Sequence, residues 1–274
     1  MKPTVISALR WPVLAAALTA FSVACAGTDV SASVDTAELE IAGITATTPP
    51  TFFDDFTQLD TSRWEISNGD WPAFWKTSTL TGNFNRSKVF TNGKGHLVLE
   101  LNVQRCDSGY CAQGAELVTR ERFGYGRYEV RMRAASTSAQ PQKAGLPRTG
   151  NVSAAFSYWQ DSTTEIDVEI EGNRPRTAWV GAWKGLDLHQ AQPAQSGHDK
   201  TQVFHVYRWD WLPGSLRFYI DGRLQYAINR DIPVEKAHLM LNLWPTNSDG
   251  WGGKAAEQKT YMLVDYVRFT AAKI

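Results

Sequence analysis

From Glu165 to Glu171 the chain reads Glu-Ile-Asp-Val-Glu-Ile-Glu, four acids alternating with three branched aliphatics. A period of two fits an extended strand, because successive side chains there point to opposite faces. A strand over 164–171 turns Ile166, Val168 and Ile170 toward a core. Glu165, Asp167, Glu169 and Glu171 then share the other face. Similar alternation recurs over 95–102, 115–120, 125–134, 152–159, 178–184, 203–211, 216–220, 238–244 and 261–269. Asp221-Gly222, flanked by Phe218-Tyr219-Ile220 and Leu224-Gln225-Tyr226, is a two-residue hairpin signal. No helical period runs beyond two turns. Many short strands at fairly even spacing predict an all-β sandwich or barrel.

Two stretches refine that picture. Tyr128, Val130 and Met132 alternate with Arg127, Glu129, Arg131 and Arg133, which predicts one buried and one solvated face. Residues 136–151 carry Pro141, Lys143, Gly145, Pro147, Arg148 and Gly150 and exceed a usual hairpin loop. That stretch reads equally as the edge of a cleft or as a surface insertion.

With 274 residues and 43% apolar content, the chain can bury one full core. The formal net charge of zero argues against non-specific nucleic-acid binding. Eleven Trp is a high count, divided between core packing and sugar stacking. Lys2 and Arg10 accompany an apolar run over 11–24 that is too short to span a membrane. Residues 1–26 are therefore read as an export signal. Cleavage after Ala26 would release a secreted or periplasmic protein, whereas lipidation at Cys25 would anchor it in the cell envelope. Residues 27–50, rich in Ser, Thr and Ala, form a tether, and 51–274 the folded domain. In an oxidising compartment Cys106 and Cys111 are expected to bridge a short loop, two free thiols being the alternative.

The acid row poses a problem for folding alone, since neighbouring like charges repel and raise one another's pKa. Glycoside hydrolysis, however, needs one carboxylate as nucleophile and one protonated carboxyl as acid. Strand residues two apart are separated by roughly 6.6 Å and residues four apart by roughly 13 Å. Spacing alone therefore does not select a catalytic pair; a concave sheet brings long side chains together.

Glu165-Ile-Asp167-Val-Glu169 resembles the catalytic motif of glycoside hydrolase family 16. Gly114-Ala-Glu116, Phe123-Gly-Tyr-Gly-Arg-Tyr-Glu-Val130, Phe204-His205, Trp209-Asp210-Trp211 and Leu241-Asn242-Leu243-Trp244 resemble its bacterial lichenases and exopolysaccharide-cleaving endoglycanases. These stretches keep the family's order over about 53–270. The resemblance implies a jelly-roll sandwich of two antiparallel sheets with substrate along a concave face. It implies Glu165 as nucleophile, Asp167 as modulator of protonation and Glu169 as general acid/base of an endo-acting, retaining β-glucan hydrolase. A transglycosylase would use the same residues, and a non-catalytic sugar-binding sandwich is the rival from another class.

Glu116, Asn242, Trp244, Trp159, Trp75 and Trp183 are the candidate substrate-binding residues. No cofactor is required for the chemistry, but the resemblance implies a structural calcium with Asp265 among its ligands. His205 is read as structural, the partner as a polysaccharide, and the protein as a monomer. Two departures bear on substrate: Thr163-Thr164 stand where lichenases place an aromatic, and Val118 where they place an arginine. Arg174, Arg176, Lys184, Lys143 and Arg148 would suit an anionic polysaccharide if they face the cleft, and are otherwise surface charges. Glu171 has no role in this reading.

Overall fold

The alternating segment forms strand β10 (Thr164–Glu171), all eight residues of which are buried. In the computed structural model the described residues are 43–45, 47–71, 76–138, 140, 141, 143–195 and 197–274, without the Gln195 side chain. The export segment, Cys25, most of the tether and Trp75 lie outside them.

Strand β10 is flanked antiparallel by β9 (Asn151–Trp159) and β11 (Thr177–Trp183). β12 (His189–Gln195) borders β11, and beyond β9 come β16 (Ala237–Pro245), β7 (Gly109–Phe123) and β2 (Trp64–Ile66). The second sheet runs through β15 (Arg223–Ile228), β14 (Ser215–Ile220), β13 (His205–Leu212), β8 (Gly126–Thr137) and β17 (Gln258–Ala271). β17 pairs further with β6 (Leu97–Cys106) and β1 (Phe52–Asp54), and β5 (Val89–Thr91) borders β6. β4 (Leu80–Phe84) runs parallel to the start of β7, with β3 (Gly69–Asp70) beside it. β7 pairs first with β6 and later with β16, so one strand belongs to both sheets. The result is the expected all-β jelly-roll sandwich.

Between the sheets lies one core. Ile166, Val168 and Ile170 enter it from the acid-bearing sheet and meet Tyr128, Val130, Met132, Trp209 and Phe218 from the other. Tyr128 stacks on Trp209 with ring centroids 5.1 Å apart, and Trp211 Nε1 donates to Pro233 O at 2.9 Å. Trp64 donates its Nε1 proton to Asp54 Oδ2 at 2.8 Å, so this buried indole also has its polar atom satisfied. Each such burial contributes about 2–3 kcal/mol. The Asp221-Gly222 turn has φ of 50° and 78°, the two left-handed positions a tight hairpin requires.

Four features differ from the sequence reading. β12 was not expected, because His189-Gln-Ala-Gln-Pro-Ala-Gln195 lacks alternating aliphatics; it forms as a polar strand bordering β11, and Pro193 suits an edge. The arginine face of β8 is only partly solvated. Arg127 lies against Asp210, and Arg133 donates to Pro141 O and Lys143 O. The 136–151 stretch thus connects one sheet to the other and covers Arg133 through Pro141 and Lys143, so it is more than a surface insertion. Finally, Ile44, assigned to the tether, is buried.

Cys106 and Cys111 form a disulfide across the β6–β7 hairpin. Gly109 makes that hairpin feasible: its φ is 134°, and a Cβ there would come within 2.4 Å of Thr79 O. No helix among the described residues is long and apolar enough to cross a membrane.

Candidate active site

Register places the acids in a defined neighbourhood. Glu165 sits between Tyr158 of β9 and Trp183 of β11, Asp167 between Phe156 and Gly181, and Glu169 between Ala154 and Trp179. The Glu169 row continues through Ala154 to Asn242 of β16 and Glu116 of β7. Glu165, Asp167, Glu169 and Glu171 are 0%, 5%, 2% and 0% exposed, so this face is recessed rather than washed by solvent.

Recession changes their charge. Burial pushes Glu165 up to about 7, while a hydrogen bond from Ser162 Oγ to Oε2 acts in the opposite sense. Asp167 is raised well above the usual carboxylate range by burial and then by the charges of Glu165 and Glu169. Glu169 is raised likewise by burial and by Glu165 and Glu171. Of the three, only Glu165 has, among the described residues, a hydrogen-bond donor that favours its ionised form. Glu165 Oε1, Glu169 Oε2 and Asn242 Oδ1 are buried, and the described residues supply no partner for any of them. Unpaired buried oxygens are costly in a folded protein, and three on one sheet face mark a site shaped for something other than stability.

Glu171 proves to be structural. It accepts from Trp179 Nε1 at 2.6 Å, Gly252 N at 2.6 Å and Arg174 Nη2 at 2.8 Å. It therefore ties the end of β10 to β11 and to the loop after β16. Trp179, directly opposite Glu169 and half-buried, is an aromatic of this face that periodicity did not single out. Trp251 lies 5.8 Å from it, centroid to centroid. Ser162 and Ser67 were also missed, since a lone serine in a turn or loop carries no sequence signal.

The expected binding residues divide. Glu116 and Asn242 meet: Asn242 Nδ2 donates to Glu116 Oε2 at 3.4 Å, and Ser67 Oγ to Oε1 at 2.7 Å. Trp244 is half-buried and shares a strand face with Asn242. Trp183 lies beside Glu165 but is buried, its ring stacked 3.8 Å from His189. Trp159 pairs with Thr164, one step out of phase with Glu165, and the Arg122 guanidinium covers its ring at 3.8 Å. Its ring also lies 5.8 Å from His238, which stands opposite Tyr158 in the Glu165 row. Trp75 lies outside the described residues. His205 holds Asp221 at 2.6 Å, as a structural histidine would. Of the candidate cations, Arg174 is paired with Glu171, while Arg148 and Arg176 donate to Glu257 O and Gly197 O.

Residues 75–268 match the family described as glycosyl hydrolases family 16. The chain belongs to that family. It is 32% identical over 226 residues to a β-glucanase of Acetivibrio thermocellus, with 77% of this chain and 60% of that protein covered. It thus spans less than two thirds of that relative's length. It is 29% identical to the endo-1,3-1,4-β-glycanase ExoK of Rhizobium meliloti, covering 81% of this chain and 79% of that protein. The solved β-glucanase of Bacillus licheniformis superposes with a TM-score of 0.65 at 25% identity, over 82% of this chain and 99% of that one.

In this family 16 member the calcium expectation meets an unsuitable donor set. Asp265 receives a hydrogen bond from Arg131 Nη1, and His96 Nε2 lies 3.6 Å from its other oxygen. A hard cation requires several oxygen ligands, and a guanidinium on the carboxylate opposes it. The described side chains around Asp265 therefore do not fit calcium. Val118, where lichenases carry arginine, packs with Ala154, Phe156, Tyr158 and Met240 in a separate apolar cluster. This part of the acid-bearing sheet is apolar instead of cationic.

Glu116 gives this family 16 member a pH-dependent stability. Burial raises it from 4.5 to about 7, against the opposing hydrogen bonds of Ser67 and Asn242. The folded state keeps a proton that the unfolded chain has already released. The stability this provides is full below the unfolded value and is lost as pH rises through about 7. Glu116→Gln is expected to remove this residue's share, about 3 kcal/mol between the two limits, and to leave the similar contributions of Glu165, Asp167 and Glu169. Urea unfolding measured across this range checks it; an identical fall in wild type and variant would assign the dependence elsewhere.

Proposed function

We propose that the protein is an endo-acting, retaining glycoside hydrolase of a β-linked, glucan-like polysaccharide. One observation carries the reading. Three carboxyls stand in a row on the recessed face of one strand of a family 16 sandwich, and buried oxygens of the outer two lack partners among the described residues. Binding alone would need no such group of mutually repelling acids.

In this mechanism Glu165 is the nucleophile, and the Ser162 hydroxyl favours its ionised form against the burial that raises it. Its carboxylate attacks the anomeric carbon as the glycosidic C–O bond breaks, and Glu169 gives its proton to the departing oxygen. The raised pKa of Glu169 suits it to arrive protonated. After the aglycone leaves, ionised Glu169 takes a proton from water, whose oxygen displaces Glu165 and restores both groups. Asp167 lies between them and responds to both charges, so it adjusts how readily the proton returns to Glu169. Two inversions at one carbon retain the configuration.

Glu116, Asn242, Trp244 and Trp179 supply polar and stacking contacts on the same sheet face. The names of the β-glucanase and endo-1,3-1,4-β-glycanase relatives support a β-glucan. Val118 and its buried apolar neighbours supply no guanidinium at this position to grip sugar hydroxyls. The disulfide supports an exported enzyme.

Mixed-linkage glucan, laminarin, xyloglucan and acidic exopolysaccharides are the substrates to test. A β-glucan is expected to lose viscosity before many reducing ends accumulate, with the first products observed by NMR as β-anomers. Initial α-anomers, or no cleavage of any of these polymers, would overturn the proposal.

A further inference from the structure

The turn between β9 and β10 contains three consecutive non-glycine residues in the left-handed region: Gln160, Asp161 and Ser162, with φ of 33°, 46° and 59°. L-residues pay a steric penalty there, and a connection between adjacent antiparallel strands has cheaper solutions built on Gly or Asn. Strain of this kind persists where surrounding structure enforces it, and it concentrates at functional sites. Here the enforcement is visible. Thr163 N donates to Gln160 O at 2.8 Å, and Gly185 N, from the segment joining β11 to β12, donates to Ser162 O at 2.6 Å. Ser162 is 4% exposed, and its hydroxyl donates to Glu165 Oε2.

We propose that Ser162 is a positioning residue: the left-handed turn delivers its hydroxyl to Glu165, orienting that carboxylate and keeping it the ionised member of the three cleft acids. This rests on the assignment of Glu165 as nucleophile. The surroundings leave few other devices for the task. From its own strand Glu165 faces the acids Asp167 and Glu169; from β9 it faces Tyr158, and from β11 Trp183, backed by His189 of β12. Among the described residues no Lys, Arg or His forms an ion pair with it. With one oxygen held by Ser162, the other is buried and has no hydrogen-bond partner among the described residues. Glycine at 162 would adopt the same backbone more cheaply, so the residue's contribution here is its hydroxyl.

Ser162→Gly separates the two roles of the residue, because it relieves backbone strain while removing the donor. The variant is expected to melt no lower than wild type. Its kcat/KM on the glucan that wild type cleaves should have an acid limb shifted upward by about one pH unit, the effect of losing one hydrogen bond to a charged group. Below that limb the rate should fall about tenfold, chiefly in kcat. Ser162→Ala keeps the strain, lacks the hydroxyl and should show the same limb; it serves if the glycine variant folds poorly. An unmoved acid limb in a folded variant would overturn the proposal. Should wild type cleave no glycan, or Glu165→Gln remain fully active, it is the nucleophile assignment that fails instead.

Discussion

Replacing Glu165 with Gln is expected to lower kcat by a factor on the order of 10⁴ or more, with the fold intact. The amide nearly preserves volume and can still meet Ser162, and no cation depends on Glu165 for charge balance among the described residues. Burial already disfavours its charged form, so an uncharged isostere should leave the melting temperature unchanged or raised. What disappears is the electron pair that forms the bond to the anomeric carbon. Truncation to Ala sharpens the assignment by opening room for azide. In Glu165→Ala, azide replaces the missing nucleophile directly and gives a glycosyl azide of inverted configuration. In Glu169→Ala the covalent intermediate still forms from a substrate with a good leaving group. Azide then displaces Glu165 and gives the retained product. NMR of the two azides reads this directly, and exchanged configurations would reverse the two assignments.

The largest expected effect on stability lies away from the acids, at Asp210 on β13. This carboxylate is 2% exposed; it accepts from Arg127 Nε and Nη2 at 2.8 and 3.2 Å and has Arg208 Nη2 at 3.0 Å. Removing it leaves a buried guanidinium without its counter-charge, beside a second positive group. Asp210→Ala is expected to cost about 3–5 kcal/mol, because the penalty is that of an uncompensated buried charge and exceeds the net value of the pair. For a domain of this size the melting temperature should fall by roughly 10 °C. Folded variant at low temperature should keep its catalytic constants, since Asp210 belongs to the sheet opposite the acids. A loss under about 1 kcal/mol would show that water or relaxation compensates the arginines.

Much of the fold can be read along the chain because strands and hairpins have local signatures. Ile166, Val168 and Ile170 enter the core as their period of two requires, and Asp221-Gly222 makes the turn its two left-handed positions need. β12 escaped because an edge strand need not bury aliphatics. Arg127 and Arg133 were read as solvated because alternation specifies a face, but not what covers it. Trp159 illustrates the same limit: its place beside the acid-bearing strand did not show that Arg122 and His238 would lie against its ring.

For the site, the identity and order of Glu165, Asp167 and Glu169 were already legible, since a period of two places alternate residues on one face wherever the strand ends up. Their protonation was not. That depends on burial and on donors brought from elsewhere, such as the Ser162 hydroxyl from a strained turn. Glu116 shows the distance involved, accepting from Ser67, 49 residues before it in sequence, and from Asn242, 126 after it. Glu171 completes the contrast: in sequence it is a fourth member of the acid row, while Trp179, Gly252 and Arg174 make it an anchor. The sequence by itself determined which acids share a face, because pleating is local. Only the tertiary structure decided which of them receives a hydroxyl donor, which are raised furthest by burial and neighbouring charge, and which is tied up in structure, because desolvation and hydrogen bonding come from residues that only folding brings near.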